Sequence, residues 1–340
     1  MRPGGRRRVL VAGAGEVVAS GYLPALARLG WSATILDLDM QRARSVARLY
    51  GRASASKRRL SEIDAARYEA VVVATPLPTH LEVVRTALAA GARTVLVEKP
   101  PFRTGNDLRI ALRAANAARA RLFASFYTRA WPSVQRARAS FPDWRERLGP
   151  LVRVLVAQGR PWSWASVAAR ERGAAGLESL LLEELPHPLD TVFHISGWRH
   201  AVVREGPQPP SETPWAFSGS VLVGADGGEP VLLELLGSRR HTLANAVTFE
   251  FDRGVATAEL SPTGGVIVRE GGSCELELTG VRTGADMREL FTGVLRGVAG
   301  DGGAGAPPAV EAAEWAGPVA VVDVLRDRPA GERDAPETSA

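Results

Sequence analysis

One amine in this sequence stands apart from the rest of its positive charge. The chain holds 42 lysines and arginines, yet lysine occurs only at Lys57 and Lys99. Lys57 lies in a Lys-Arg-Arg run and reads as solvated charge. Lys99 follows the apolar stretch Val95-Leu96-Val97 and Glu98, and precedes Pro100-Pro101, so it ends a strand that reads as buried. Lysine is a compact donor whose proton affinity responds to burial, whereas arginine stays protonated. A second chemical position is His187, with prolines at 186 and 188 and acids at Glu183 and Asp190. Histidine exchanges a proton near neutrality, as the oxidation of a secondary alcohol requires. Pro188 suits a first helical position with Asp190 in the first turn, so Asp190 serves either as a helix-start acid or toward a substrate. The prolines argue against Glu183 and His187 sharing one face of a simple helix.

A third position is the turn Gly13-Ala14-Gly15-Glu16, which follows the apolar run Arg8–Val11 and leads through Val17 into a helical pattern. The first glycine of such a turn permits its tight geometry, and the second lets backbone approach a pyrophosphate at the helix N-terminus. Val18 stands where a third glycine or alanine is usual. Asp37 ends the next apolar run, some two dozen residues after Gly13. An acid near that spacing binds ribose hydroxyls and repels a 2′-phosphate, which favours NAD over NADP. Asp39 is the alternative if that strand runs longer, and a strand–turn–helix without nucleotide is the plain alternative to the whole motif.

The bulk properties narrow the class. At 340 residues, 45% hydrophobic and 23% charged, the chain is long enough for two ordinary folded domains. The net charge of +5 is spread over dispersed arginines with only 6% aromatics, which argues against a nucleic-acid partner. Cys274 is the only cysteine, so no intramolecular disulfide or cysteine-based metal cluster is expected. The apolar run Val9–Ala12 behind Arg6-Arg7-Arg8 is too short for a leader, and no run is long enough to span a membrane; a cytoplasmic location is expected.

Residues 8–126 alternate short apolar strands with amphipathic helices. Strands are expected at Arg8–Val11, Ser32–Leu36, Ala70–Ala74, Val95–Val97 and Leu122–Phe126, and helices at Val17–Leu29, Met40–Tyr50, Thr79–Ala90 and about Thr104 to Arg119. That order predicts a doubly wound parallel sheet, a Rossmann domain over 1–126. From 127 the pattern becomes one of alternating strands with Gly-rich turns, preceded by a helix near Arg136–Trp144 and interrupted by a helical segment at about Leu177–Ile195. This predicts an α+β domain with a large, mainly antiparallel open sheet over 127–330, closing with a loop at Gly300–Pro308 and a helix near Val310–Arg326. Residues 331–340 read as a disordered tail.

Several segments together resemble the glucose–fructose oxidoreductase/inositol dehydrogenase (Gfo/Idh/MocA) family. They are Gly13-Ala-Gly15…Tyr22-Leu-Pro-Ala-Leu26, Ala74-Thr75-Pro76-x-x-x-His80, Ala90-Gly91…Val97-Glu98-Lys99-Pro100 and Thr104, with Gly176…Glu183-Glu-Leu-Pro-His187-Pro-Leu-Asp190 downstream. The resemblance implies a nicotinamide cofactor and a sugar- or cyclitol-like alcohol or ketone. It implies that Lys99 contacts the reacting oxygen and that His187 is the acid/base, with Glu183 in place of the family's aspartate and Leu185 in place of a glycine. Gly13, Gly15, Glu16, Val17, Asp37, Thr75, Pro76, Leu77, His80, Glu98 and Lys99 are the expected cofactor contacts. Lys99, Tyr127, Arg129, Glu183, His187 and Asp190 are the expected substrate contacts. His80 is equally a helix cap, and Tyr127 and Arg129 are equally core or solvated residues. Trp162 and Trp164 suit core packing better than a sugar pocket. His194, His200 and His241 lack convergent partners, so no metal is expected. A homodimer or homotetramer through the second sheet is expected. Reduction of an imine or aminated sugar, or a catalytically inactive dinucleotide-binding regulator, are the rival functions on the same scaffold.

Overall fold

The computed structural model describes residues 7–159, 181–198, 201–205, 211–213, 216–225, 229–238, 241–261, 263–277, 287–301 and 310–327. Trp162, Trp164, His200 and the expected tail lie outside the described residues. Two units are formed, one from Met1–Trp131 with Gly280–Ala316, the other from Pro132–Thr279 with Gly317–Ala340. The sequence pattern alone puts a single boundary after residue 126; the fold returns a later stretch to the first unit.

In the first unit, β1 (Arg8–Ala12), β2 (Ser32–Leu36), β3 (Ala53–Ala55), β4 (Ala70–Val73), β5 (Thr94–Glu98) and β6 (Arg121–Ser125) pair in the order β6-β5-β4-β1-β2-β3, all parallel. Val9, Leu10 and Val11, Val71 to Val73 and Val95 to Val97 are fully buried, as strands covered on both faces must be. Helices α1 (Leu23–Arg28), α2 (Met40–Arg48), α3 (His80–Ala89) and α4 (Gly105–Ala117) connect them. Asp39 caps α2 by accepting from the amides of Gln41 and Arg42, and Thr104 caps α4 by accepting from that of Asp107.

Three elements depart from the sequence pattern. The helix expected over Val17–Leu29 opens as a π-turn, Val18–Tyr22, before α1 begins. The unforeseen helix Met287–Ala299 packs there: a Cβ on Gly21 would lie 2.6 Å from the Phe291 ring, so only glycine admits this approach. Phe291, Val294, Leu295 and Val298 share a core with Val18, Tyr22 and Leu26. The third is the closing helix expected from Val310. Val310–Glu311 is instead a short strand, antiparallel to β6, which covers that sheet edge. A 3₁₀ turn, Ala312–Trp315, and the helix Ala316–Asp327 follow.

The second unit opens with α5 (Pro132–Leu148), longer at both ends than expected, and β7 (Leu151–Gly159). Then come α6 (Pro186–Ser196), β8 (Ala201–Glu205), β9 (Ser211–Thr213), β10 (Ala216–Ala225), β11 (Val231–Ser238), β12 (Ala246–Phe251), β13 (Gly254–Glu259), β14 (Val266–Glu270) and β15 (Ser273–Glu277). The sheet order is β15-β14-β13-β12-β7-β11-β10-β8, with β9 on β10. All its pairings are antiparallel except β7 with β11. Helix α6 packs on α5 and on the centre of the sheet at β7 and β12. This sets His187 and Asp190 on a buried, sheet-backed helix.

Candidate functional site

The glycine turn is built by two different constraints. Gly13 has φ +105°, and a Cβ there would overlap the Ala74 carbonyl oxygen. Its amide donates to Leu36 O at 2.7 Å, holding the turn against the end of β2. Only glycine tolerates both the conformation and the approach. Gly15 has neither restriction: no protein atom lies within 4 Å of where its Cβ would be. Its carbonyl accepts from the amides of Val18 and Ala19, which starts the helix. An open face over a helix start is the space in which a pyrophosphate would fit, so the residues present suit a dinucleotide.

Asp37 closes one side of this turn. Its Oδ2 accepts from the Ala14 amide at 2.8 Å, and its Oδ1 accepts from the Asp39 amide at 2.8 Å and from Arg42 Nη2 at 2.8 Å. Burial works to raise its pKa, but the Arg42 bond and the two amides win and hold it below the usual carboxylate value. Asp39 caps α2, while Asp37 lies against the glycine turn. Arg42 is a neighbour that the sequence pattern did not bring forward; an arginine five residues after the acid was the available signal.

The loop after β4 carries Thr75, Pro76 and Leu77, with Thr75 and Leu77 half-buried and Pro76 exposed. His80 was expected at the cofactor or in packing contacts, or as a helix cap. Its ring is buried between loops. Nε2 faces Thr75 O at 2.8 Å, and Nδ1 faces Pro100 O at 3.2 Å and Pro101 O at 3.1 Å. The ring thereby lies between the β4 loop and the two carbonyls that follow Lys99, and as a neutral imidazole it donates to one side only. Burial lowers the His80 pKa below its ordinary value and outweighs the carbonyls, which act to raise it.

A sign follows from this. The unfolded chain takes up a proton at His80 near pH 6.5 while the folded protein resists it, so the stability His80 contributes is present above that pH and lost as pH falls through the lower folded pKa. Native protein should therefore lose more Tm between pH 7.5 and 5.5 than His80→Gln protein. Parallel melting curves for the two would show that His80 does not titrate in this way.

Lys99 is half-buried at the end of β5, and its amide lies 3.2 Å from Glu98 Oε2. The Lys99–Pro100 peptide is cis. Glu98 itself, expected at the cofactor, turns into the domain. Its Oε1 accepts from Tyr22 Oη at 2.5 Å, and Tyr22 Oη lies 3.0 Å from Ser125 Oγ. Burial raises the Glu98 pKa against the opposing Tyr22 hydrogen bond, and burial together with Glu98 raises that of Tyr22 well above its ordinary value. A buried carboxyl needs such partners. The cluster joins the π-turn Val18–Tyr22, β5 and β6 at the residue that precedes the lysine. Tyr22 was visible in the sequence, but its hydroxyl's partners are 76 and 103 residues away.

Arg129 and Tyr127 lie in the 3₁₀ turn after β6. Arg129 is buried and its Nη1 is 2.6 Å from Glu314 Oε2, so its guanidinium serves an ion pair within the unit. Tyr127 packs near Trp131 and Phe291, at ring distances of 6.3 and 5.4 Å. Tyr127 is half-buried and Arg129 buried.

In the second unit, Pro186 rather than Pro188 takes the first helical position, with Leu185 as N-cap. Asp190 is thus not a first-turn acid; it is completely buried and sits three residues after His187, on one side of α6. Glu183 ends a preceding helical turn and is separated from α6 by a break at 184–185. Glu183 and His187 are both half-buried. Among the described residues, no group of three or more His, Cys, Asp or Glu side chains could hold a metal ion, and no helix is long and apolar enough to cross a membrane.

Comparison with known proteins agrees with this architecture. Residues 7–126 match the model of the GFO_IDH_MocA oxidoreductase family, NAD-binding Rossmann fold. Residues 7–126 thus match the NAD-binding Rossmann domain of that family. Among solved structures, aldose-aldose oxidoreductase from Caulobacter crescentus, complexed with glycerol, is similar at TM-score 0.73 and 15% identity, over 94% of this chain and 96% of the other. The 3-ketoreductase KijD10 from Actinomadura kijaniata, with TDP-benzene and NADP, is similar at TM-score 0.70 and 18% identity, over 95% and 97%. A super-repressor mutant of Gal80p from Saccharomyces cerevisiae is similar at TM-score 0.73 and 12% identity, over 95% of each chain. At these identities the likeness establishes the fold of both domains. No curated protein matched the sequence.

Proposed function

We propose that this protein is a Gfo/Idh/MocA-type, NAD(H)-dependent oxidoreductase acting on a secondary alcohol or the matching ketone of a sugar, cyclitol or amino-sugar-like substrate. The observation that carries the reading is the open face of Gly15 beside the anchored Asp37, a cradle with space for a dinucleotide and none of its own atoms to fill it. When bound, the nicotinamide supplies the hydride chemistry. The chain supplies position and protons: Lys99 donates to the substrate oxygen, His187 exchanges the substrate proton, and Glu183 grips substrate hydroxyls. Asp190 lies buried behind His187 on the same helix. Support for these roles comes from the family resemblance and from each residue's setting in its own unit. A screen of sugars, cyclitols and amino sugars, read by NADH absorbance in both directions, tests it.

The Gal80p likeness keeps the regulator reading in view, because the same fold carries a repressor there. Dinucleotide binding without turnover on any member of the screen would favour it. The screen's amino sugars, offered as ketone plus ammonium, test the imine-reducing alternative in the same experiment.

Glu183→Gln discriminates two ways in which the acid could act. A carboxylate can accept from two hydroxyls of a polyol at once, so the expected result is a KM raised by about tenfold with the pH–rate profile in place. A profile shifted to lower pH would instead assign Glu183 to orienting His187. Unchanged rate, affinity and profile would remove Glu183 from the site.

Self-association through the second sheet is part of the proposal. The strands put Leu155, Leu232 and Leu236 on a face that is half-buried or exposed, around Arg153 paired with Glu234 and Glu250. Sedimentation of the purified chain as a monomer would remove this element.

A further inference from the structure

We infer that His80 is a positioning residue for Lys99: its ring is a clasp with one proton for two loops, and a second proton closes it on both. For what the Thr75 loop holds, the inference rests on the dinucleotide reading above, which it deepens.

Both ring nitrogens of His80 face acceptors. Nε2 lies 2.8 Å from Thr75 O, while Nδ1 lies 3.2 Å from Pro100 O and 3.1 Å from Pro101 O. Among the described residues no other hydrogen-bond partner reaches the ring. A neutral imidazole carries one N–H and one lone pair, so one nitrogen must set its lone pair against a carbonyl oxygen. The residue is 2% exposed, which leaves little water to relieve that contact. The single short contact to Thr75 O suits a donated proton on Nε2. The Nδ1 lone pair then meets the two proline carbonyls.

Those carbonyls follow Lys99 directly, and Thr75 begins the loop Thr75-Pro76-Leu77 after β4. Two loops therefore share one proton, and holding the first leaves the second unheld. An imidazolium has two N–H groups. It would keep Thr75 O and draw the Pro100–Pro101 segment toward the ring, and the lysine with it. Charged groups lie on the elements around the ring: Glu82 and Arg85 on α3, Glu62 on the 3₁₀ turn Leu60–Glu62, Asp107 on α4, and Glu98 and Lys99 at the end of β5. None of them is a cause of the ring's altered proton affinity. Burial, which lowers it, outweighs the three carbonyls, which raise it. The clasp is therefore open at neutral pH and closes on acidification below the ordinary histidine value.

The test is an acid titration of the full chain carrying isotope-labelled lysine and histidine, followed by NMR, for the native protein, His80→Gln and His80→Asn. Lysine occurs only at Lys57 and Lys99, so Lys57→Arg assigns the Lys99 side-chain signal. The signal lost in both histidine variants assigns the His80 ring. At neutral pH that ring should show one protonated and one bare nitrogen, and it should gain its second proton as pH falls. The Lys99 signal should move with the same midpoint in the native protein. It should stay in place in the two variants, whose amides take up no proton. NAD affinity measured by calorimetry across that midpoint should change by about fivefold in the native protein alone, the scale of one hydrogen bond. Coincidence of the His80 and Lys99 midpoints in the native protein supports the clasp without the variants. A ring with both nitrogens protonated at neutral pH overturns the inference, as does one that takes no second proton before unfolding. A Lys99 signal that moves alike in native and variant proteins overturns it too, and leaves the dinucleotide reading standing. Absence of NAD binding at every pH overturns the dinucleotide reading, while the joint movement of His80 and Lys99 still decides the clasp.

Discussion

Lys99→Met is expected to bind NADH as the native protein does and to turn over the proposed alcohol or ketone substrate about a hundredfold more slowly, or worse. That loss corresponds to about 2.7 kcal/mol of transition-state stabilisation, the scale of one positioned donor at a developing oxyanion. The chain offers no second amine to take over, since Lys57 is exposed and belongs to an arginine-rich surface run. Lys99→Arg should be nearly as slow, because the guanidinium is larger, planar and fixed in its charge. The supports beneath the lysine make this a clean comparison. The Glu98 carboxyl is held by Tyr22, and the buried His80 ring packs against the Pro100 and Pro101 carbonyls, so replacing the half-buried side chain leaves its backbone anchored. Steady-state kinetics together with NADH titration decide it. An arginine variant with near-native turnover would reduce Lys99 to a generic positive charge.

Gly13 and Gly15, two residues apart, should fail in opposite ways. Gly13→Ala forces a side chain into φ +105° and into the Ala74 carbonyl. The conformational cost and the overlap together come to about 2–4 kcal/mol, a fall in Tm of roughly 5–15 °C. At Gly15 an added Cβ meets no protein atom and needs no unusual φ, so the Tm of Gly15→Val should stay within a few degrees of native. Its isopropyl group fills the open face instead, and NADH affinity should drop by about a hundredfold or more, because backbone can no longer approach a pyrophosphate. Calorimetric melting and NADH titration of both variants separate the two roles. Undiminished NADH binding by Gly15→Val would place the dinucleotide elsewhere.

What was legible without coordinates were features written into a few neighbouring residues. Buried parallel strands announce themselves as runs such as Val71-Val72-Val73, because both faces must be apolar. The turn at Gly13 is legible because a positive φ between a strand and a helix demands a residue without Cβ. The acid at Asp37 and the cap at Thr104 are likewise local statements. The helix Met287–Ala299 was within reach too, through the helical spacing of Leu290, Phe291, Val294, Leu295 and Val298.

Pairings between distant residues were decided by the tertiary structure alone. No local pattern says that Phe291 closes on Gly21, that Val310 pairs with Ala124 on β6, or that Arg129 meets Glu314. The same holds for the side-chain partners of His80 and Glu98, which the family resemblance places at a cofactor. Burial turned each inward, because a polar group removed from water must take the partners the fold offers: carbonyls for the imidazole, a tyrosine hydroxyl for the carboxyl. At Asp37 the sequence determined that an acid ends β2. Only the fold decided that Arg42 answers its charge, because that depends on where the first turn of α2 sets down beside the strand.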